Sequence, residues 1–302
     1  MINWDLPLSR TGSMAESDRQ RILRHHPHTG PGWLDRLPGL IDRYRRQWRL
    51  VLRLRSFTGG AASWAAPVEL ADGGRAVLKL GLPSHESIDL AAAWRAYDPR
   101  GLVRLLAHDA ADNASLIELC EPGDAAVDLP AAASDDAATE VLPRLWAPAP
   151  DLELPLLSEI AARQAARLRD RADRLGASLY RDGSELFDEL AATTPAELIL
   201  HGDFHPRNVL RSVRGWLAID PRPMIGEPGY DLANHLLYQI QDDPDPVGRA
   251  ARLAERVGVS PRRTHLWLAA KLVQFVSWLH HTGQADWADA RRPTALRLLG
   301  AL

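Results

Sequence analysis

Apolar and polar residues alternate along much of the first third of the chain, with the period of two that is typical of half-buried strands. The sequence Ala-Asp-Gly-Gly at residues 71–74 interrupts this alternation, as the turn of a hairpin does. Short strands are therefore predicted over residues 50–54, 66–70, 75–80, 103–108 and 114–119.

Helical spacing of apolar residues dominates the remaining sequence. Helices are predicted over residues 33–48, 84–97 and 156–175 and from Tyr230 to the end, with breaks near 242–246 and 259–261. Residues 124–155 are rich in Ala, Pro and Asp and are predicted to form a linker or, alternatively, to include a short helix over 137–146.

A small antiparallel sheet followed by many helices predicts an α+β fold. The sequence Glu121-Pro-Gly interrupts the pattern and is the predicted hinge between two lobes. The N-terminal lobe would cover residues 1–120 and the C-terminal lobe residues 121–302.

Composition limits the functional classes. The 302 residues are 46% hydrophobic, which is enough for a sizeable core. The 36 basic and 39 acidic residues are spread along the chain and give a formal charge of -3, so neither nucleic acid nor an anionic membrane is an expected partner. The first residues lack the basic region and apolar run of a secretory leader, so we expect neither secretion nor membrane insertion, and no apolar run approaches the length of a membrane span. The single cysteine, Cys120, cannot form an intramolecular disulfide. We therefore expect a cytoplasmic protein with small-molecule partners.

Lys79 is conspicuous because all but two of the 36 basic residues are arginine, a bias that commonly reflects codon usage. It closes a predicted apolar strand. The preceding turn contains Gly59, Gly60 and Ser63, where backbone N–H groups could approach phosphates. Two glycines between strands usually mark only a turn, but the order of loop and lysine strengthens a phosphate-binding interpretation of both.

Most of the candidate chemistry lies in the segment His201-Gly-Asp-Phe-His-Pro-Arg-Asn208. Asp203 and Asn208 are five residues apart, and Asp220 follows a predicted strand-turn-strand interval. Phosphoryl transfer from ATP needs a carboxylate to orient the acceptor hydroxyl and oxygen ligands for Mg²⁺. We predict that Asp203 is the catalytic carboxylate, that Asn208 and Asp220 bind Mg²⁺, and that His201 holds the loop.

Two other interpretations of this segment are open. Asp and Asn commonly cap turns, although the complete set has no simple capping explanation. Alternatively, His201, Asp203 and His205 could bind zinc, which would leave Asn208 and Asp220 without a role.

The sequence resembles the aminoglycoside and hydroxyurea phosphotransferases, and among them the streptomycin 6-phosphotransferase branch. The stretches that carry the resemblance include Gly59-Gly-Ala-Ala-Ser63, Ala76-Val-Leu-Lys79, Glu118-Leu-Cys-Glu-Pro-Gly123, Leu200-His-Gly-Asp-Phe-His-Pro-Arg-Asn-Val-Leu210 and Ile225-Gly-Glu-Pro-Gly-Tyr-Asp-Leu-Ala-Asn234. The resemblance implies a bilobal protein-kinase-like fold, with ATP bound near the hinge between the lobes. It also implies an O-phosphotransferase that modifies an aminoglycoside hydroxyl and confers resistance.

The same resemblance suggests further site residues. Leu119 and Cys120 would lie at the adenine-binding hinge, and Arg207 is grouped with the catalytic residues. Family members usually carry a glutamate that pairs with the strand lysine, but spacing places Leu90 at that position. Glu86, one helical turn earlier, and Asp89 are the available substitutes, so the ion pair would be shifted or absent. Loss of this ion pair would favour a nucleotide-binding pseudokinase, whereas the intact catalytic set argues against one.

Glu227 and Asp231 lie where the acceptor region of the family begins. Their carboxylates are predicted to bind the guanidinium groups of a streptomycin-type acceptor. A solvated loop in which Asp231 caps the following helix explains them equally well. Hydroxyurea or another small hydroxylated metabolite is the alternative acceptor.

Overall fold

The computed structural model describes residues 14–52, 56–58, 62–83, 90–97, 100–149, 151–175, 177–241 and 243–302. The chain forms two compact units. One comprises Met1–Trp94 and Val103–Gly123, and the other comprises Arg95–Leu102 and Asp124–Leu302. The predicted lobes, residues 1–120 and 121–302, stay a prediction. The contacts divide the chain after Gly123 and assign Arg95–Leu102 to the second unit.

The first unit begins with two helices, α1 (Glu16–His25) and α2 (Gly30–Gln47). Its strands are β1 (Val51–Leu52), β2 (Ser63–Glu69), β3 (Arg75–Gly81), β4 (Leu105–Asp109) and β5 (Ala114–Glu118). They form an antiparallel sheet in the order β1-β2-β3-β5-β4, which confirms the predicted strands, although residues 53 and 54 of the first one lie outside the described residues. Gly73 has a φ of 83° in the turn between β2 and β3, a conformation that favours glycine.

The core of the first unit follows from the alternation in β3. Leu78 and Leu80 are fully buried on one face of the strand, and the core that they join includes Trp33 and Tyr44 of α2. Burial of one leucine contributes roughly 1.5–3 kcal/mol. Helix α3 covers Leu90–Ala96, and the earlier part of the predicted 84–97 helix lies outside the described residues.

Helices make up most of the second unit. They are α4 (Ala131–Leu145), α5 (Leu157–Leu175), α6 (Ser178–Thr193), α7 (Gly229–Leu237), α8 (Pro246–Val257), α9 (Pro261–His281) and α10 (Ala285–Gly300). The breaks near 242–246 and 259–261 occur where predicted. Within the described ranges, no helix combines the length and apolar character that crossing a membrane requires.

Two small sheets interrupt these helices. Their strands are β6 (Ala147–Pro148), β7 (Leu198–Leu200), β8 (Val209–Ser212), β9 (Gly215–Ala218) and β10 (Met224–Gly226). β10, β7 and β6 form a three-stranded antiparallel sheet in that order, and β8 and β9 form the predicted hairpin. The predicted α+β class is therefore confirmed, and the strands bring the chemical segment of the sequence to defined positions.

Candidate active site

The candidate active site lies where the chain leaves β7. The 201–208 loop, residues His201 to Asn208, follows Leu200, which pairs with Met224 of β10. Beyond that pair, the Arg222 N–H donates to the His201 carbonyl oxygen at 2.7 Å. Gly202 has a φ of 79°, and a Cβ atom there would lie 2.1 Å from the Arg222 carbonyl oxygen. Glycine is therefore required, and the start of the loop is fixed.

His201 joins this loop to the end of the β8–β9 hairpin. Its buried imidazole has Nε2 2.9 Å from the Ile219 carbonyl oxygen and Nδ1 3.3 Å from the Asp203 backbone nitrogen. Because the Asp203 N–H donates, Nδ1 is the acceptor and Nε2 carries the proton. Burial lowers the pKa of His201 to about 4, so the ring is neutral near pH 7.

These contacts oppose the zinc interpretation. Both ring nitrogens of His201 are already engaged in hydrogen bonds, which leaves neither for a metal. In the part of the chain that the structure describes, no three His, Cys, Asp or Glu side chains are grouped so that they could hold a metal ion. A site for a hard cation such as Mg²⁺, which needs few protein ligands, is therefore favoured over a zinc site.

Asp231 of α7 holds the backbone of the same loop. Its buried carboxylate accepts hydrogen bonds from the backbone N–H groups of His201 and Gly202, both at 2.9 Å, and from Trp146 Nε1 at 3.2 Å. Burial raises the pKa of Asp231 to about 6, although these donors oppose the shift. The contacts favour a positioning role, and acceptor binding by Asp231 stays a prediction.

Asp203 presents a partly exposed carboxylate, with 34% of its side chain accessible. Its Oδ2 lies 3.3 Å from Arg222 Nε, and its Oδ1 lies 3.9 Å from His205 Nε2. An accessible carboxylate on a fixed loop can accept a hydrogen bond from a bound hydroxyl group. Arg222 could not be identified from the sequence, because only the fold brings its guanidinium to Asp203.

The hairpin register brings Asn208 and Asp220 to one end of the hairpin. Val209 pairs with Ala218, so both predicted metal ligands lie just beyond the paired residues. The Asn208 Nδ2 group donates to the Asp203 carbonyl oxygen at 3.0 Å, which directs the nitrogen away from any cation and leaves Oδ1 as the possible ligand. Asp220 has a φ of 58°, a conformation that aspartate tolerates better than most residues. An amide oxygen and a carboxylate fit Mg²⁺, which takes further ligands from phosphate and water.

Tyr238, which follows α7, contacts two residues of the loop. Its ring centroid lies 5.0 Å from that of His205, and the Arg207 guanidinium lies 5.7 Å from it. Burial lowers the pKa of His205, and its Nδ1 has no hydrogen-bond partner among the described residues. The contact between Arg207 and an aromatic face is a stabilising cation–π interaction, so the catalytic role of Arg207 stays a prediction.

Glu227 lies at the other end of the three-stranded sheet. Gly226 pairs with Leu198, whereas the 201–208 loop leaves the opposite end of β7. The buried Glu227 carboxylate accepts hydrogen bonds from Arg263 Nε at 2.9 Å, Trp267 Nε1 at 2.6 Å and Thr194 Oγ1 at 3.2 Å. Arg263 also donates through a terminal amino group. These bonds favour a structural ion pair, and acceptor binding by Glu227 stays a prediction.

Lys79 lies within β3 of the first unit. It pairs with Ala65 of β2 and Ser115 of β5, so strands flank it on both sides. Side chains of a strand alternate between faces, which places Lys79 on the face opposite the buried Leu78 and Leu80. A cation on a central strand has a well-defined position, as phosphate binding requires.

The other predicted nucleotide-binding residues are described only in part. Ser63 begins β2, and Leu119 and Cys120 are buried immediately after β5. Gly59, Gly60 and Glu86 lie outside the described residues. Leu90, at the position where the family resemblance predicts a glutamate, is the first residue of α3.

Residues 47–283 match the family model described as aminoglycoside/hydroxyurea antibiotic resistance kinase. The streptomycin 6-kinase of Streptomyces glaucescens is 36% identical over 90% of this chain and 91% of its own length. The hydroxyurea phosphotransferase of Kitasatospora aureofaciens is 32% identical over 97% of this chain and 88% of its own. The resemblance inferred from the sequence is therefore confirmed.

The fold is similar to that of solved small-molecule kinases. The choline kinase LicA from Streptococcus pneumoniae matches with a TM-score of 0.62, covering 87% of this chain and 99% of its own. At 15% sequence identity this similarity shows the fold alone. It confirms the predicted bilobal kinase-like fold, with an antiparallel-sheet lobe and a mainly helical lobe.

Proposed function

Because the chain belongs to the aminoglycoside/hydroxyurea antibiotic resistance kinase family, we propose that it transfers a phosphoryl group from ATP to a hydroxyl group of a streptomycin-type aminoglycoside. The observation that carries this proposal is the partly exposed Asp203 carboxylate on a loop held by His201 and Asp231. A cytoplasmic location, where ATP is available, is part of the proposal.

Asp203 is proposed to accept a hydrogen bond from the acceptor hydroxyl and to orient its oxygen. The transition state of phosphoryl transfer is loose, so the hydroxyl needs little activation and Asp203 takes its proton late. Positioning is therefore the main task of the residue. Displacement of a positioning group by about 1 Å can cost on the order of 100-fold in rate. The buried hydrogen bonds of His201 and Asp231 are therefore expected to matter for the rate, because they hold the loop that carries Asp203.

Asn208 and Asp220 are proposed to hold Mg²⁺ through the Asn208 amide oxygen and the Asp220 carboxylate. When bound, the ion neutralises negative charge on the phosphate oxygens. Lys79 is proposed to bind the α- and β-phosphates. The remaining nucleotide contacts are assigned to Gly59, Gly60, Ser63, Glu86, Leu119 and Cys120.

Hydroxyurea is the second candidate acceptor. The hydroxyurea phosphotransferase of Kitasatospora aureofaciens matches 97% of this chain, at an identity close to that of the streptomycin kinase. The Asp203 chemistry is the same for both acceptors, since each presents a hydroxyl group. Only the residues around the acceptor can distinguish them.

An acceptor panel tests the proposal. The purified protein is incubated with Mg-ATP and streptomycin, other aminoglycosides, hydroxyurea or simple amino alcohols, and acceptor-dependent ADP release is measured. Streptomycin is expected to give the highest kcat/KM, and the isosteric Asp203→Asn variant serves as the inactive control. Preference for hydroxyurea would select the second candidate, and no release with any acceptor would contradict the proposal.

A further inference from the structure

Arg222 places a cation beside the candidate catalytic carboxylate. Its Nε lies 3.3 Å from Asp203 Oδ2, and 73% of its side chain is exposed. Neither of its terminal amino groups donates a hydrogen bond to a residue of the described ranges. An accessible set of N–H donors therefore lies next to the group that is proposed to orient the acceptor.

The backbone of Arg222 is fixed although its side chain is exposed. Its N–H donates to the His201 carbonyl oxygen at 2.7 Å, and its own carbonyl packs closely on Gly202. Asp220, the proposed metal ligand, precedes it by two residues. The Arg222 side chain thus extends from a backbone position that is bonded to the loop carrying Asp203 and lies two residues from the proposed metal ligand.

Two other arginines of this unit are engaged elsewhere. Arg207 lies over the ring of Tyr238, and Arg263 is bound to the buried carboxylate of Glu227. Arg222 differs from both because its guanidinium lies beside a partly exposed carboxylate that the acceptor hydroxyl must approach. An incoming hydroxyl and Arg222 therefore meet at the same carboxylate.

We propose that Arg222 is a catalytic residue that binds oxygens of the phosphoryl group during its transfer. The inference rests on the proposed function. Negative charge spreads over the three equatorial oxygens of the group in the transition state, and a planar guanidinium presents paired N–H donors that match such oxygens. The phosphorus must approach the hydroxyl oxygen held by Asp203, so its oxygens come within reach of a guanidinium that already touches that carboxylate.

Arg222 neither gives nor takes a proton in the proposed step. A bond forms between the acceptor oxygen and the γ-phosphorus of ATP, and the bond from that phosphorus to the bridging oxygen breaks. The leaving electron pair stays on ADP, and the hydroxyl proton passes to Asp203 and then to solvent. Arg222 keeps its charge throughout and contributes hydrogen bonds that strengthen as charge develops.

The simpler interpretation is a surface ion pair that only neutralises Asp203. Exposed ion pairs contribute little to stability, and the acceptor would have to displace such a pair. Under that interpretation, removal of the guanidinium would leave kcat unchanged or raise it. The proposed role makes the opposite prediction, so kinetics separate the two.

The test compares Arg222→Ala and Arg222→Lys with Arg211→Ala. Arg211 is an exposed arginine of β8 that lies 5.4 Å from the Trp216 ring and serves as the matched control. In Arg222→Ala, kcat is expected to fall about 100-fold or more, with KM for ATP changed less than about threefold. Added guanidinium ion should restore part of that kcat, which a structural role would not allow. A kcat within about threefold of the wild-type value would overturn the proposal.

Equilibrium binding supplies a readout that needs no acceptor. Mg-ADP affinity is measured with and without fluoroaluminate, which mimics the transferring phosphoryl group. The wild type is expected to gain affinity, whereas Arg222→Ala should keep its affinity for Mg-ADP and lose the gain. That result would support phosphoryl binding by Arg222 even if no acceptor in the panel were phosphorylated. Failure of the proposed acceptor assignment can therefore be distinguished from failure of the Arg222 proposal. An equal gain in both proteins would contradict the proposal.

Discussion

The Asp231 carboxylate accepts a hydrogen bond from the His201 backbone N–H at 2.9 Å and thereby ties the start of α7 to the 201–208 loop. The neighbouring Gly202 N–H donates to its other oxygen at the same distance. A buried carboxylate that receives N–H donors from a loop backbone constrains the loop more than a surface contact does, because each donor would be unsatisfied without it. The position of Asp203 therefore depends on Asp231, which binds the backbone of the preceding two residues.

Replacement of Asp231 by alanine is expected to lower the free energy of unfolding by about 3 kcal/mol or more, since three N–H donors lose their acceptor and each unsatisfied buried group costs about 1–3 kcal/mol. The measurement is urea denaturation, together with kcat on the folded protein, which should also fall. Asp188→Ala, which removes an exposed ion pair with Arg169, is the control and should have little effect. An Asp231→Ala variant as stable as the wild type would contradict the anchoring role.

Substitutions of Glu227 can show whether its carboxylate has a structural role or binds the acceptor. Glu227→Ala leaves the Arg263 guanidinium and the Trp267 indole without their acceptor, and breaking such a buried pair costs about 3–5 kcal/mol. The double variant with Arg263→Ala should lose less stability than the sum of the single variants, as denaturation of all four proteins would show.

If the Glu227 carboxylate serves only in this ion pair, the milder Glu227→Gln variant keeps the acceptor KM within about threefold of the wild-type value once the protein is folded. A tenfold or larger rise in acceptor KM without loss of stability would instead identify Glu227 as an acceptor ligand.

The pH dependence of stability should carry the signature of His201. Its pKa is lowered by burial to about 4 in the folded protein, against 6.5 for an exposed histidine. The unfolded chain therefore binds a proton that the folded protein does not, and stability falls as the pH drops from about 6.5 towards 4. Between pH 7 and pH 5 this contribution amounts to about 2 kcal/mol.

The measurement compares the wild type with His201→Gln at both pH values. The wild type should lose about 2 kcal/mol more unfolding free energy than the variant on acidification. Burial raises the pKa of Asp231 to about 6, so on acidification this carboxyl group binds a proton in the folded protein before it does in the unfolded chain. Asp231 therefore adds to stability as the pH falls, opposite to His201. It is present in both proteins and cancels in the comparison. Equal losses would mean that His201 is not buried as a neutral ring.

Local sequence patterns were sufficient for part of the fold. The β2–β3 hairpin could be predicted because alternation and turn residues are both short-range signals, and β3 indeed buries Leu78 and Leu80. The same holds for Asn208 and Asp220, whose placement at one end of β8 and β9 follows from the length of the strands and their turn. Such features depend on neighbours in the sequence.

Other elements needed tertiary contacts to become apparent. Helix α1 buries only Asp18 and Ile22, so its apolar stripe is too thin to predict it. Helix α4 occupies residues 131–145 of the 124–155 segment, so the alternative prediction of a helix over 137–146 was nearer than the linker. Its start at Ala131 was missed because packing buries its alanines, including Ala137 and Ala138, which composition alone could not reveal.

Side-chain pairs distant in sequence were missed for the same reason. Arg263 is 36 residues from Glu227, and no local pattern connects them. The contact between Arg222 and Asp203 likewise exists only once β10 lies beside β7. Sequence reasoning could identify the chemical groups of the site, whereas the interactions that orient them depend on the fold.

Product analysis with streptomycin is the decisive test of phosphoryl transfer by this protein. Wild-type protein and Asp203→Asn are incubated with Mg-ATP and streptomycin, and the product is identified by mass spectrometry and phosphorus NMR. We expect streptomycin carrying one phosphoryl group on a hydroxyl oxygen, formed by the wild type and at least about 100-fold more slowly by the variant, with nucleotide binding retained. An unmodified antibiotic, or equal rates for the two proteins, would contradict this expectation.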